Sequence, residues 1–504
     1  PNRNEATPGP VRLCSSAGGA SDDELLTQTN RMVEYLRKKI ADSAAARWTV
    51  LGLVSFTMLT GYVMTDAMAP LKTMLEQQLG WDSTDYGVFT SGYGWFNIFL
   101  LMLIFGGMIL DKKGPRFTGV LSVGLMIAGS LLKYWAVSTD FGGAVTSLSI
   151  GSWQVFSLKS QVLYATLGFA IFGVGIEMIG ITANKVVVKW FRGKALALAL
   201  GLNVAAGRIG TAIAMFGSLP FARAMGSPSA PLLVCLIMFC IGLLSFLVFC
   251  VMDRRYDRET ETERPLDNEK TDEEEFRFSD IFRIARIKAF WYITILCVLF
   301  YSAVFPFLKY ATELMIQKFH VSPEFAGSIP ALLPFGNVLL TPLFGSIYDR
   351  KGRGATIMLI GSALLVIVHV LFSIPMLTSS WIAVVLIVLL GAAFSLVPSA
   401  MWPSVPKIIP YRMLGTSYSM IFWIQNWGLS FVPMLIGYVL DCYCVSGTML
   451  IDGIESTSYD YTLPMMIFAG FGVLSIVFAL LLRREDRIKG YGLERPNIEE
   501  RSAS

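Results

Sequence analysis

Two charged residues stand inside runs that otherwise read as apolar wall: Glu177 in IFGVGIEMIGITANKVVVKWFRGK and Arg208 in GLNVAAGRIGTAIA. Each lies about midway along its run, so the two share a depth. An ionised side chain in such a place is costly and marks a water-filled cavity, a pathway or a partner. Either the two form a structural ion pair that fixes neighbouring helices, or they are the anionic and cationic poles of a charged cavity. A second pair, Asp66 in GYVMTDAMAPL and Lys309 in VFPFLKYATELM, lies towards the ends of two other runs. These are expected to meet as an outer gate; the alternative is that Lys309 snorkels to the interface while Asp66 caps a turn near Pro70.

Aromatic and amide side chains form a third group: Tyr93, Trp95 and Asn97 in SGYGWFN, Trp402 in AMWPSVP, and Gln425 and Asn426 in WIQNWGLS. They read either as packing, interfacial belt and interhelical hydrogen bonds or as the lining of a pocket, which a kink at Pro403 beside Trp402 would help to shape. The only histidines are His320 and His369, so no histidine metal site or proton relay is expected. There is no phosphate-binding Walker loop and no catalytic constellation. No enzyme activity, cofactor or metal is therefore expected, and any work must come from gradients.

The elements that hold these groups follow from composition. The chain has 504 residues, of which 54% are hydrophobic and only 15% charged, with a mean hydropathy of +0.58. Such a chain has too little polar surface for a soluble globule and reads as a polytopic membrane protein. Apolar stretches long enough to cross a hydrocarbon core of about 30 Å recur roughly twelve times. They run over 48–69, 86–110, 116–137, 163–188, 195–219 and 229–251, then over 289–314, 325–348, 355–376, 380–405, 413–438 and 462–482.

The expected organisation is a cytosolic segment 1–47, a six-helix bundle 48–252, a charged linker 253–287, a second six-helix bundle 288–484 and a tail 485–504. The linker changes abruptly to dense charge and cannot bury a core. The first segment lacks an apolar core and is expected to be partly disordered, neither a secretory signal nor a span. Its DDELL resembles an acidic dileucine sorting signal, with Ser21 where such signals carry an acid.

With twelve spans, RMVEYLRKK, DKKGPR, KWFRGK, the linker, DRKGRG and RREDRIK all fall on one side, which the positive-inside rule makes cytosolic. Both termini are expected there, with Lys185 snorkelling towards it and Lys189, Arg192 and Lys194 serving topology alone. The net charge of +4 follows from this asymmetry and calls for no nucleic acid. Of seven cysteines, Cys442 and Cys444 face the opposite side, too close in sequence for an unstrained mutual bond. No N-x-[ST] sequon occurs.

The loops hide a repeat. GGMILDKKGPRFTG joins the second and third spans, and FGSIYDRKGRGATI the eighth and ninth. Equivalent loops in equivalent places of two six-span halves indicate a parallel internal repeat. Gly114 and Gly352 allow a sharp turn, while Asp111 and Asp349 can accept from helix N-terminal amides or a cross-helix arginine. With Arg116 and Arg353 these are the expected gating residues of the loops, alongside Asp66 and Lys309.

The loop pattern resembles the signature of the major facilitator superfamily. That resemblance implies an all-α fold of twelve helices in two pseudo-symmetric six-helix bundles, which rock about a central cavity. It also implies that the first, fourth, seventh and tenth helices line the cavity. More narrowly, GVGIEMIGITANKVVVKWFRGK, GLNVAAGRIG, VFPFLKYATELMIQKF, AMWPSVPKIIP, RMLGTSYSMIFWIQNWGLS and IGYVLD are similar to the family of lysosomal dipeptide transporters. The resemblance implies facilitated export of dipeptides from the lysosomal lumen to the cytosol, and a glycosylated single-span accessory subunit. It places the ammonium-binding glutamate on Glu177 and the carboxylate-binding arginine on Arg208, with Tyr93, Trp95, Asn97, Trp402, Gln425 and Asn426 at matching substrate positions. The lysosomal membrane is the implied location, with the plasma membrane or another endomembrane as alternatives. Two competing functions are a proton-coupled carrier of organic anions or sugars, with Glu177 titrating, and a non-transporting receptor on the same fold.

Overall fold

The computed structural model describes residues 43–150, 153–191, 195–261, 278–410 and 413–496. The dileucine-like stretch, the basic run 31–39, Arg192, Lys194 and most of the acidic linker lie outside the described residues, as does the side chain of Asp111.

In lipid every backbone amide and carbonyl must be bonded internally, which forces the apolar runs into helices. Among the described residues eleven helices are long and apolar enough to cross a membrane, and twelve when a bent pair is counted as one span. The chain is a multi-pass membrane protein. In the amino-terminal bundle, span 1 is Ala44–Asp66, span 4 Ser160–Phe191, span 5 Leu196–Met225 and span 6 Ala230–Glu261. In the carboxyl-terminal bundle, span 7 is Lys288–Gln317, span 8 Ser328–Lys351, span 9 Gly354–Ser373, span 10 Ser380–Ile408, span 11 Leu414–Tyr443 and span 12 Thr462–Lys489.

Spans 2 and 3 depart from expectation. Span 2, read from the sequence as continuous, is Ser83–Phe99 and Met102–Leu110, bent by 59°. The break falls at Leu100 and Leu101, the latter with φ of 53°. No glycine or proline marks it. The backbone remains bonded, Leu100 N–H to Phe96 O at 3.1 Å and Ile104 N–H to Leu101 O at 2.9 Å. Phe99, just before the break, packs on Trp427 and Phe431 of span 11 in the other bundle. Span 3 is Lys112–Ser138; the turn at its start pivots on Gly114 at φ 76°, and the matching turn on Gly352 at φ 68°, where a side chain would be strained.

Packing repeats with the sequence. Span 1 lies on spans 5 and 6 as span 7 lies on spans 11 and 12, and span 3 lies on spans 4 and 6 as span 9 lies on spans 10 and 12. The bundles meet along two symmetry-related seams, span 2 on span 11 and span 8 on span 5.

Two antiparallel hairpins were not anticipated: β1 Val145–Ile150 with β2 Trp153–Lys159 after span 3, and β3 Val445–Ile451 with β4 Ile454–Tyr459 after span 11. Both stand at one end of the bundles, the hairpin end; the basic turns stand at the other, the loop end. Two boundaries also shift. Helix continues to Glu261, past the expected linker start at 253, because Asp253 and Asp257 are held by neighbouring cations, and a short helix Phe278–Ala285 lies within the expected linker. The tail folds back, with Arg353 N–H donating to Glu494 O at 3.0 Å and Gly354 N–H to Leu493 O at 2.9 Å.

Candidate functional site

Glu177 and Arg208 do not form an ion pair with each other in this structure, which removes the reading that they merely bolt two helices together. Glu177, on span 4, accepts a hydrogen bond from Tyr93 Oη at 2.7 Å, which fixes one carboxylate oxygen. Arg208, on span 5, lies over two rings of the opposite bundle, its Cζ 5.6 Å from the centroid of Phe305 and 5.3 Å from that of Phe394. A guanidinium stacked this way keeps its in-plane N–H donors free to point at an anion. Tyr62 of span 1 is near enough to sense both charges. The two poles are thus held apart, each by an aromatic partner.

The face of span 4 that bears Glu177 continues at helical spacing through half-buried Ile181 to exposed Asn184, Lys185 and Val188. That face therefore grows more exposed towards the loop end. On the other bundle Trp402 Nε1 donates to Tyr301 Oη at 3.1 Å and the indole stacks on Phe422 at 4.9 Å. Tyr301, Phe305 and Phe394 then complete an aromatic wall, with Phe305 and Phe394 edge to face at 5.3 Å. Trp95 bonds Ser91 Oγ one turn back on its own helix, at 3.0 Å.

The amides lie deeper. Asn97 donates to Gly173 O at 3.2 Å, Asn426 to Phe422 O at 2.9 Å, and Gln425 Oε1 accepts from Cys297 Sγ at 3.5 Å. All three are buried; the Asn97 and Gln425 bonds cross between helices, and that of Asn426 stays within its own.

The hairpin end is closed by polar contacts between the bundles. Lys309 Nζ lies 2.6 Å from Asp66 Oδ1 and also donates to Thr65 O at 3.1 Å. One turn outward, Lys72 Nζ lies 2.7 Å from Glu313 Oε2, with both side chains almost fully buried. Tyr461 Oη donates to the same carboxylate, and Gln317 Nε2 lies 3.3 Å from it. Asp441 at the end of span 11 accepts from the amides of Ser83 at 3.1 Å and Thr84 at 2.5 Å, capping the start of span 2 in the other bundle. A Cβ on Gly437 would collide with the Ser83 carbonyl, so this approach requires glycine. Tyr459, its phenol held well above its ordinary pKa by burial and so a proton donor, bonds Asp441 Oδ1 at 3.0 Å. Strand β4 is also tied to the amino-terminal bundle, with Gln77 Nε2 donating to Ser456 Oγ at 2.7 Å and Thr457 N–H donating to Glu76 Oε1 at 3.1 Å.

At the loop end the contacts of Asp253, Asp257 and Glu494 stay inside each bundle. Asp253 is 2.7 Å from Lys189 and 3.6 Å from Arg116, accepts from Trp190 Nε1 at 3.0 Å, and Asp257 is 3.1 Å from Arg116. In the carboxyl-terminal bundle Thr356 N–H and Arg353 N–H both reach Glu494. Asp349 is half-buried at the end of span 8. Sequence reasoning passed over Lys72, Glu313, Asp441, Lys133 and the rings of Tyr62, Tyr301, Phe305 and Phe394. The signal for Glu313 and Lys133 was present, a lone charge in ATELMIQ and in GSLLKYWAV; the rings carried none, since aromatic residues abound in every span.

Comparison with known proteins follows the geometry. A family model described as Major Facilitator Superfamily matches residues 51–433. The lysosomal dipeptide transporter MFSD1 of Mus musculus is 29% identical over 408 residues, 79% of this chain and 81% of that protein. The protein of the same name from Homo sapiens is 28% identical over 411 residues, 79% of this chain and 80% of that one. Among solved structures, a bacterial homolog to the human lysosomal transporter Spinster, inward-facing and unoccupied, superposes with a TM-score of 0.66 at 14% identity, covering 91% of this chain and 100% of that one. The nucleoside transporter NupG gives 0.62 at 14% identity, covering 86% and 99%. These two likenesses concern the fold.

Proposed function

This chain belongs to the major facilitator superfamily, and from that membership we propose that it moves dipeptides by alternating access, from the lysosomal lumen to the cytosol. The observation that carries the reading is the pair of unlike charges held apart in the membrane: Glu177 on Tyr93, Arg208 on Phe305 and Phe394. A zwitterion with separated ends satisfies both poles, its ammonium on Glu177 and its carboxylate on the Arg208 fork. Recognition through the ends alone tolerates many side chains. The names of the relatives support the same solute class.

Arg208 belongs to one bundle and its rings to the other, so a bound carboxylate is sensed across the seam. Occupancy draws the bundles together at the loop end, and the hairpin-end contacts then become the ones to break. In this reading the hairpin end faces the lumen, both termini are cytosolic, the membrane is lysosomal, and a glycosylated single-span accessory subunit accompanies the transporter.

The test is uptake into proteoliposomes of the purified full chain, with internal pH recorded. Dipeptide should accumulate to equilibrium without obligatory proton movement, and Glu177→Gln and Arg208→Lys should each lower uptake at least about tenfold. Uptake of organic anions or sugars with stoichiometric proton flux would support the proton-coupled carrier instead. Ligand-dependent thermal stabilisation without flux would support a receptor.

A further inference from the structure

We propose that Lys133 is the second cation of the Asp66 gate, taking over that carboxylate when the hairpin end opens and Lys309 withdraws. The inference rests on the alternating-access part of the reading above and is independent of the solute.

Lys133, near the hairpin end of span 3, is 0% exposed. Its ammonium lies 4.3 Å from the ring centroid of Phe169 and 5.2 Å from that of Phe89, two rings stacked on each other. Its one hydrogen bond is to Met64 O at 3.3 Å, and among the described residues no carboxylate is within ion-pair distance. Two ring faces and a carbonyl do not offset the cost of burying an ammonium. A methionine would fill the same volume without that cost.

The position supplies the reason. Met64 and Asp66 belong to the last turn of span 1, where carbonyls point along the axis and the helix presents its negative end. Two lysines reach this turn from opposite sides: Lys133, from within the amino-terminal bundle, on Met64 O, and Lys309, from the other bundle, on Thr65 O and Asp66 Oδ1. The groups sensed by Lys133 are Asp66, Lys309 and the thiol of Cys235. The closed gate therefore holds two cations and one carboxylate. When the bundles separate at this end, Lys309 leaves with its bundle and Lys133 stays. A carboxylate stranded in the membrane is what makes such a gate hard to open; a resident lysine already bonded to the same turn removes that obstacle.

Hydrogen exchange of the full-length protein without solute tests this, read at residues 83–91, whose first amides are held by Asp441 across the seam. Lys133→Met should slow exchange there at least about tenfold, because opening would strand Asp66. Lys133→Arg should exchange as wild type does, and Asp66→Asn combined with Lys133→Met should restore wild-type or faster exchange. Unchanged or faster exchange in Lys133→Met, or a double variant that stays slow, overturns the proposal. Should Lys133→Met not fold, a folded double variant with restored exchange supports the hand-over, and a double variant that also fails to fold assigns Lys133 a purely structural role and overturns it. Loss of dipeptide uptake with this exchange pattern intact would count against the solute and not against the gate.

Discussion

The hairpin end and the loop end both carry charged side chains but use them differently. At the hairpin end Lys72–Glu313, Lys309–Asp66 and Asp441 with the Ser83 and Thr84 amides all cross between bundles. At the loop end Arg116, Lys189, Asp253 and Asp257 stay within one bundle, and the Glu494 contacts within the other. Bonds that cross must break when the bundles rock, whereas bonds within a bundle travel with it. The difference identifies the structure as one sealed at the hairpin end, and it separates contacts that set conformational equilibrium from contacts that set stability.

That separation can be broken by mutation. The largest effect is expected from Lys72→Met, which leaves Glu313 buried without its cation, a loss of about 3–5 kcal/mol from the sealed state. Hydrogen exchange at 83–91 and along β4 should accelerate by two or more orders of magnitude, and Lys72→Met with Glu313→Leu should recover most of the protection. A smaller effect of the opposite kind is expected at the loop end. Asp253→Asn weakens the bonds to Lys189 and Trp190, costs about 1.5–3 kcal/mol and lowers the melting temperature, while exchange at 83–91 stays as in wild type. If Asp253→Asn opened the hairpin seam as Lys72→Met does, the two ends would not be distinct. Between the ends, Phe394→Leu removes one of the rings under Arg208; uptake should show a KM raised about three- to tenfold with the sealed-state exchange unaltered.

Much of this organisation was legible in the chain. Apolar runs gave the spans, the paired DKKGPR and DRKGRG turns gave the repeat, and a lone charge in an apolar run located Glu177, Arg208, Asp66 and Lys309. What stayed hidden depends on contact between distant residues. The bend at Leu100 lies in NIFLLML, which carries no glycine or proline to mark it, and beside it Phe99 meets Trp427 and Phe431 of the other bundle. The hairpins fell between spans, where VTSLSI and WQVFSLK do carry β-branched and aromatic alternation that a reading for helices passes over. Asn97 and Gln425 show the converse: a polar residue in a span announces a partner, and sequence does not say whether that partner is a solute or the next helix.

The central claim, that two separated poles receive the two ends of one solute, is tested most directly by pairing solute analogues with pole variants in the uptake assay. A dipeptide should be carried by the wild type, its N-acetylated and C-amidated analogues about tenfold or more less well. Glu177→Gln should lose its discrimination against the N-acetylated analogue alone, and Arg208→Lys should lose part of its discrimination against the C-amidated one. Equal transport of all three solutes by the wild type, or discrimination by both variants identical to that of the wild type, would contradict the account.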